Sequence, residues 1–356
     1  MSNEKQRFLF LVVSYHTVNF FKPIITKLLK RGHSVRILAM HDLPKGAKED
    51  GFDTFQQDWH HFKWDKIESF NPTRVVVFNG SFGPINAATC ALKKRYPLFC
   101  AEVAWFPQSD YIYIDRNIHH LSNVCLETVM GSHAYKQNAD FIDRLEPVME
   151  EIKEKYKPSL NKPSFVSRDK TVIIPLQLSQ DTSILYSSPY FKTMDSLIGF
   201  ALHALPDQAN IVVKPHPKMD FTYFKKHFGE TLLKKVTFIE GNQYSLNSLI
   251  YHSRMALGIN STGLMEALVH NRPVYQLGKN ICQSSPGSLD KKDVVSFYKS
   301  CVEPCHITER INKAKVLTMI ANQVNFRDPP EWAISKLENY KTSARTMEDL
   351  ARERNL

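Results

Sequence analysis

No window of this 356-residue sequence approaches the roughly 18 consecutive apolar residues that a membrane-spanning helix requires. The first apolar run, Phe8 to Val13, follows a polar start, Met1 to Arg7, and is too short for the core and cleavage site of a secretory leader. Cysteine is sparse as well. The six residues Cys90, Cys100, Cys125, Cys282, Cys301 and Cys305 show no framework spacing, which excludes a disulfide scaffold and predicts a reduced, cytosolic setting. Cys301, Cys305 and His306 put three candidate metal ligands in one loop with no fourth, so they read as structural thiols and no metal is expected. A G-x-G-x-x-G fingerprint after the first strand is missing, which turns that loop toward an acceptor or a sugar. Interleaved aromatic and basic residues of a nucleic-acid motif are missing too, which argues against a nucleic-acid partner.

What is present fits a globular enzyme. Hydrophobic residues make up 43% and charged residues 23%, and the length suits two domains of ordinary size. The net charge of +10 points to an acidic partner: a nucleotide, an anionic sugar or a phospholipid surface. The chain opens with a strand at Phe8–Val13, a helix from about Phe21 to Lys30 and a strand at Gly32–Leu38, a β-α-β crossover unit whose helix ends at Gly32. Residues from Met40 to Asn71, with His60, His61, Lys63 and Trp64, read either as an acceptor-contact surface or as a solvated helix face. A strand at Arg74–Gly80 follows. Next comes an apolar run from Pro97 to Gln108 that is interrupted by Glu102. Burying a carboxylate without a partner is costly, so Glu102 is either a catalytic acid/base or one half of an ion pair. The stretch Lys157–Ser164 reads as a linker. The expected domains are 1–160, 161–329 and a charged helical tail, 330–356, that either crosses back over the first domain or lies on an anionic membrane.

The second half carries the most informative residues. A strand at Thr171–Leu176 leads to Gln177 and Asp181, where Asp181 either makes a turn by capping Ser183 or Ile184 or lines a cleft. The strand Asn210–Val213 must stop at Lys214, because Pro215 and Pro217 fix φ and lack the donor a ladder needs. His216 is thereby presented at a strand end, although a lone Lys214-Pro215-His216-Pro217 also reads as a plain turn with a solvated lysine. Helices are expected at Met194–Ala204, Tyr223–Lys235 and Ser245–His252, the last with Ser245 as its cap. The strand Met255–Ile259 then runs into Asn260-Ser261-Thr262-Gly263 and a helix through Glu266 and Leu268. Hydroxyls there cap the helix, and its N–H groups and positive dipole end suit an anion. A third strand, Pro273–Gly278, completes an order of elements that assembles a nucleotide site in a doubly wound domain.

Taken together, Pro175-Leu176-Gln177 with Asp181-Thr182-Ser183-Ile184, Lys214-Pro215-His216-Pro217, Ile259 to Leu268 and Arg272-Pro273-Val274 resemble the bacterial capsule polysaccharide biosynthesis family, which includes the Kdo transferases of capsule and lipopolysaccharide assembly. A looser match covers Ala101 to Gln108 and Asp110–Asp115. The resemblance implies an α/β, GT-B-like fold, two Rossmann-type domains facing across a cleft. It also implies a glycosyltransferase that moves an acidic sugar, Kdo from CMP-Kdo, with retention, to a surface-polysaccharide or lipid-linked glycan acceptor. In that family's terms Asp181 is the nucleophile and Glu102 the base. Lys214, His216, Pro217, Ser261, Thr262, Gly263, Glu266 and Gln177 form the nucleotide-binding set. No cofactor beyond the donor is implied, and no D-x-D metal motif has a convincing context. The setting is cytoplasmic, peripheral on the inner membrane. Lys279 to Gly287 departs from the family's usual aromatic-containing segment and leaves the donor sugar open. Two rivals stand beside this reading: a polyol-phosphate transferase of the teichoic-acid type, which tends to carry Asp-Tyr-Ser-Ser where this chain has Ile259-Asn260-Ser261-Thr262, and a non-catalytic anionic-glycan-binding subunit.

Overall fold

A computed structural model describes residues 4–13, 15–39, 52–56, 64–79, 83–116, 139–159, 163–178, 180–219, 234–239, 243–278, 287–301, 306–340 and 345–356. The chain divides into two compact units, Met1–Leu126 with Asn322–Ala344, and Glu127–Ala321 with Arg345–Leu356. Each has its own sheet, and the strands are numbered here in chain order.

In the first unit β1 (Arg7–Val12), β2 (Ser34–Ala39), β3 (Asp53–Gln56), β4 (Arg74–Phe78), β5 (Leu98–Val103), β6 (Tyr111–Asp115) and β12 (Gln323–Asn325) lie in the order β12-β6-β5-β4-β1-β2-β3. Strands β1 to β5 pair in parallel, while β6 runs antiparallel to both β5 and β12. The unbroken apolar run of β1 is explained by its position, since a central parallel strand is covered on both faces. Phe8, Phe10 and Val12 pack on one side with Phe21, Ile24, Ile25 and Leu28, whereas Leu9 and Leu11 pack on the other with Ile67, Val75, Val77 and Leu92. The helix Lys22–Lys30 ends at Gly32, whose φ of +84° is the left-handed conformation that glycine adopts without a steric penalty.

In the second unit β7 (Thr171–Pro175), β8 (Asn210–Lys214), β9 (Val236–Phe238), β10 (Met255–Gly258) and β11 (Val274–Gln276) form an all-parallel sheet in the order β11-β10-β7-β8-β9. The same two-sided packing recurs. Val172, Ile174 and Leu176 face one core, and Ile173 faces the other with Val212, Leu249 and Ala256. The chain reverses its direction of winding between β7 and β10, which makes the exits of these two strands the topological switch point where ligands of such sheets bind.

The division of the chain differs from the sequence expectation. The helices Ala139–Arg144 and Glu146–Lys155, expected in the first domain, belong to the second unit, where Val148, Met149 and Ile152 are buried and the latter helix packs on the helix Gly263–Val269. The tail also divides. The helix Glu331–Glu338 packs on the helix Lys22–Lys30, while the last helix, Met347–Glu353, packs on Ala139–Arg144 and starts with a reciprocal Thr346–Asp349 cap. Within the described residues the expected helix Tyr223–Lys235 is not covered, since residues 220–233 lie outside them, as do His60, His61 and Lys63.

The helix Glu331–Glu338 is held by a buried polar contact. The backbone N–H of Gln6 donates to His33 Nδ1 at 3.2 Å, so the imidazole proton sits on Nε2, which donates to Glu338 Oε1 at 2.8 Å. Arg31 donates to Glu338 Oε2 at 2.7 Å. Burial alone would raise the Glu338 carboxyl, but the hydrogen bonds from His33 and Arg31 outweigh it and hold the carboxyl below its ordinary range. A depressed carboxyl contributes stability above its unfolded pKa and loses it as pH falls through the folded one. Glu338→Gln is expected to cost about 1.5–3 kcal/mol at neutral pH, measured by urea unfolding, with the gap to the wild type closing as the pH is lowered through the carboxylate range.

Candidate functional site

The exits of three neighbouring strands, β10, β7 and β8, carry nearly all of the residues singled out in the second half. Strand β8 ends at Lys214, as the following prolines require, and Lys214 pairs in register with Pro175 at the end of β7. The lysine is only 7% exposed, and burial lowers its pKa from the ordinary value because a charge taken from water is penalised.

Asp181 is the N-cap of the helix Thr182–Ser187, and its Oδ1 accepts from the Ser183 backbone N–H at 2.8 Å. The turn-making reading is thus realised. It does not use up the carboxylate, because two oxygens offer about four lone-pair sites and the second oxygen accepts from Gln177 Nε2 at 3.1 Å. Gln177, expected among the nucleotide contacts, is 5% exposed and faces inward. Its Nε2 also reaches Ser183 Oγ at 2.9 Å and Asn260 Oδ1 at 3.0 Å, and its Oε1 accepts from the Asn260 N–H at 3.4 Å. Asn260 Nδ2 in turn donates to the Ser183 carbonyl at 2.8 Å. These bonds join the loop after β7 to the loop after β10 through buried amides.

His216 is half-buried next to this network. The Lys218 N–H donates to its Nδ1 at 3.1 Å, which leaves the proton of the neutral ring on Nε2 as a donor. Burial is the main cause lowering its pKa, the charge on Lys218 adds to it, and the Asp181 carboxylate pulls the other way. The pull of Asp181 does not cancel the effect of burial, which favours the uncharged imidazole. Pro217 is exposed in the same turn.

At the β10 exit Ser261 is 9% exposed and Thr262 is half-buried. The expected hydroxyl cap takes a different form. Thr262 occupies the cap position without a side-chain bond, and Ser261 Oγ accepts from the Gly263 N–H at 3.2 Å. The N–H groups of Leu264 and Met265 go to the carbonyls of Ser261 and Thr262. Since the first N–H groups of the helix already have partners, an anion at this turn would meet chiefly the hydroxyls. A Cβ at Gly263 would lie 2.5 Å from Leu246 Cδ2, so the absence of a side chain lets two helix starts approach. Glu266, one turn into that helix, keeps part of its side chain at the surface, yet its dense surroundings push the carboxyl up to about 7 by burial. It titrates near neutrality.

Glu102 belongs to the first unit. It is half-buried at the penultimate position of β5, paired across from Tyr113, and its Oε1 accepts from the Val103 N–H at 3.0 Å. Sequence reasoning did not single out Asn260 or Ser183. The signal available was a polar amide right after the apolar run Met255–Ile259, at the mouth of a buried sheet. Cys301 is a buried thiol, pushed up to about 11 by burial, whose Sγ donates to the Phe297 carbonyl, while Cys305 lies outside the described residues, as do 279–286 of the departing segment. Among the described residues no group of three His, Cys, Asp or Glu side chains is placed to hold a metal ion. Among them, too, no helix is long and apolar enough to cross a membrane.

Known proteins resemble this arrangement at two levels. In structure, the chain is similar to the β-Kdo 2,7 transferase of Thermosulfurimonas dismutans KpsC, with a TM-score of 0.54 at 16% identity over 94% of this chain and 99% of that one. It is also similar to the β-Kdo 2,4 transferase of the same protein, with a TM-score of 0.51 at 12% identity over 92% and 97%. At these identities the likeness speaks to the fold, two Rossmann-type units of the GT-B kind. In sequence, Sinorhizobium fredii FixF is 28% identical over 236 residues, 64% of this chain and 52% of FixF. The capsule polysaccharide modification protein LipB of Neisseria meningitidis is 28% identical over 147 residues, 38% of this chain and 34% of LipB. The chain therefore matches about half of FixF and a third of LipB. The sequence pattern described as capsule polysaccharide biosynthesis protein matches residues 108–324, more than half of the length, and the chain belongs to that family.

Proposed function

We propose that the protein is a glycosyltransferase that moves an acidic sugar, Kdo from CMP-Kdo, with retention, to a surface-polysaccharide or lipid-linked glycan acceptor. The observation that carries this reading is the Asp181 carboxylate, oriented by Gln177 and the Ser183 N–H at the switch point, with His216 following the end of the neighbouring strand. Family membership and the names of the similar KpsC transferases support the donor class.

In the proposed course Asp181 attacks the anomeric carbon, the bond to the phosphate oxygen breaks, and CMP leaves. The acceptor hydroxyl, deprotonated by Glu102, then displaces Asp181 from the same carbon. Two inversions give net retention. His216 Nε2–H, Lys214 and the hydroxyls of Ser261 and Thr262 stabilise the charge that develops on the leaving phosphate. Pro217, Gly263 and Glu266 complete the nucleotide surface, while Gln177 acts through Asp181. A single phosphate needs less neutralisation than a diphosphate, so the reaction is proposed to be metal-independent. The positive charge of the chain suits work on the cytoplasmic face of a membrane carrying a lipid-linked acceptor.

A melting-temperature panel with cytidine, uridine, guanosine and adenosine nucleotides tests the donor class. CMP at about 100 times its Kd is expected to stabilise by about 2.7 kcal/mol, a rise of several degrees that the other nucleosides do not produce; stabilisation by UDP would redirect the donor assignment. In an assay of CMP release, Asp181→Asn and Glu102→Gln are each expected to lower turnover on the order of 100- to 10,000-fold, and His216→Ala to weaken CMP binding. Unchanged turnover in both carboxylate variants would overturn the roles given to Asp181 and Glu102, and a wild type that releases no CMP yet loses nucleotide binding in His216→Ala would be a binding subunit.

A further inference from the structure

Asn260 is 1% exposed, so its side chain is not placed to touch a substrate, yet all of its polar atoms are committed in one direction. Its Oδ1 accepts from Gln177 Nε2 at 3.0 Å and from Ser183 Oγ at 3.1 Å, and its Nδ2 donates to the Ser183 carbonyl at 2.8 Å. The partners fix the orientation of the amide, since a carbonyl only accepts and the two groups facing Oδ1 donate. Gln177 and Ser183 are also the two residues whose N–H groups hold Asp181. A third loop packs on the same amide: a Cβ added at Gly278 would lie 3.2 Å from Asn260 Nδ2 and 2.7 Å from Ile259 Cγ2. The residue that follows Asn260 is Ser261, the first hydroxyl of the proposed phosphate turn.

We infer that Asn260 is a positioning residue: through Gln177 and Ser183 it holds Asp181 in the attacking orientation, and it ties that orientation to the turn that receives the donor phosphate. The inference rests on the reading of Asp181 as the nucleophile. Reacting groups must be held within a narrow range of distance and angle, and a carboxylate on a short side chain loses that alignment when one of its two anchors can rotate. Removing Asn260 frees the Gln177 amide to turn toward its remaining acceptors and leaves the Ser183 carbonyl without its buried donor.

An amide and a carboxyl of the same shape separate this role from a general contribution to stability. In Asn260→Asp an ionised carboxylate would set an oxygen against the Ser183 carbonyl, whereas the protonated form donates there as the amide does. Burial and the charge on Asp181 favour retention of that proton well above the ordinary aspartate range. The test follows CMP release from CMP-Kdo above the no-enzyme rate, with the full chain, from acidic to mildly alkaline pH. The expected result is a turnover in Asn260→Asp that is close to the wild type at low pH and falls as pH rises, beyond any limb that Glu266 gives the wild-type profile, while CMP still raises the melting temperature. Asn260→Ala is expected to lose on the order of 100-fold in kcat with KM changed only a few-fold. Wild-type kcat and pH profile in both variants, alongside a dead Asp181→Asn, would overturn the positioning role and leave the nucleophile standing. Turnover that falls in step with the melting temperature, without the new pH limb, would overturn it equally. Turnover that survives Asp181→Asn would overturn the nucleophile and this inference with it.

Discussion

A polar group taken out of water must find a partner, and at the mouth of the second sheet that requirement does most of the organising. Gln177 and Ser183 bond to each other in the segment after β7, and both also bond to Asn260 in the loop after β10, far away in sequence. The loops after β7 and β10 therefore settle together. Asp181 inherits its orientation from that settlement, and Ser261 inherits its position by following Asn260 directly. The His33–Glu338 contact in the first unit obeys the same rule, where a buried imidazole and a buried carboxylate fix a helix against the turn that leads into β2.

Desolvation also sets the electrical character of the second-unit site. It lowers Lys214 and His216 and raises Glu266, so that in each group the uncharged form is favoured relative to water. In the proposed reaction His216 meets the phosphate as an uncharged donor and Lys214 as a sheltered cation, the one by direction and the other by charge. The short helix behind Ser261 adds less than its sequence promised, because its first N–H groups are already bonded within the turn.

The parts of this picture that were legible in the sequence are those with a local cause. Strands β1, β7 and β8 announce themselves as apolar runs because parallel strands are covered on both faces, and β8 stops at Lys214 because proline cannot extend it. Ser245 caps its helix as its position suggested, accepting from the Ser248 N–H. Other features have causes that lie far along the chain. Strand β12 is three residues long and pairs antiparallel with β6, a partner about two hundred residues earlier in the chain. The helix Glu146–Lys155 carries a linker-like sequence after it, but Val148, Met149 and Ile152 decide its allegiance. At the site, Asp181 was visible as a residue past a strand end. The inward-facing Gln177 and the part of Asn260 were not, since only the folded sheet brings their amides together.

The first unit is discontinuous, and this has a bearing on how the protein is made. Its core includes Val324, Ala333, Ile334 and Leu337 beside Phe8, Phe10 and Ile37, and β12 covers the outer edge of β6. A ribosome delivers these closing pieces only after every strand from β7 to β11 has emerged. The half that is begun first is thus finished after the sheet of the other, and through most of synthesis it carries an open strand edge and an uncapped greasy face, the two features that invite aggregation and chaperones.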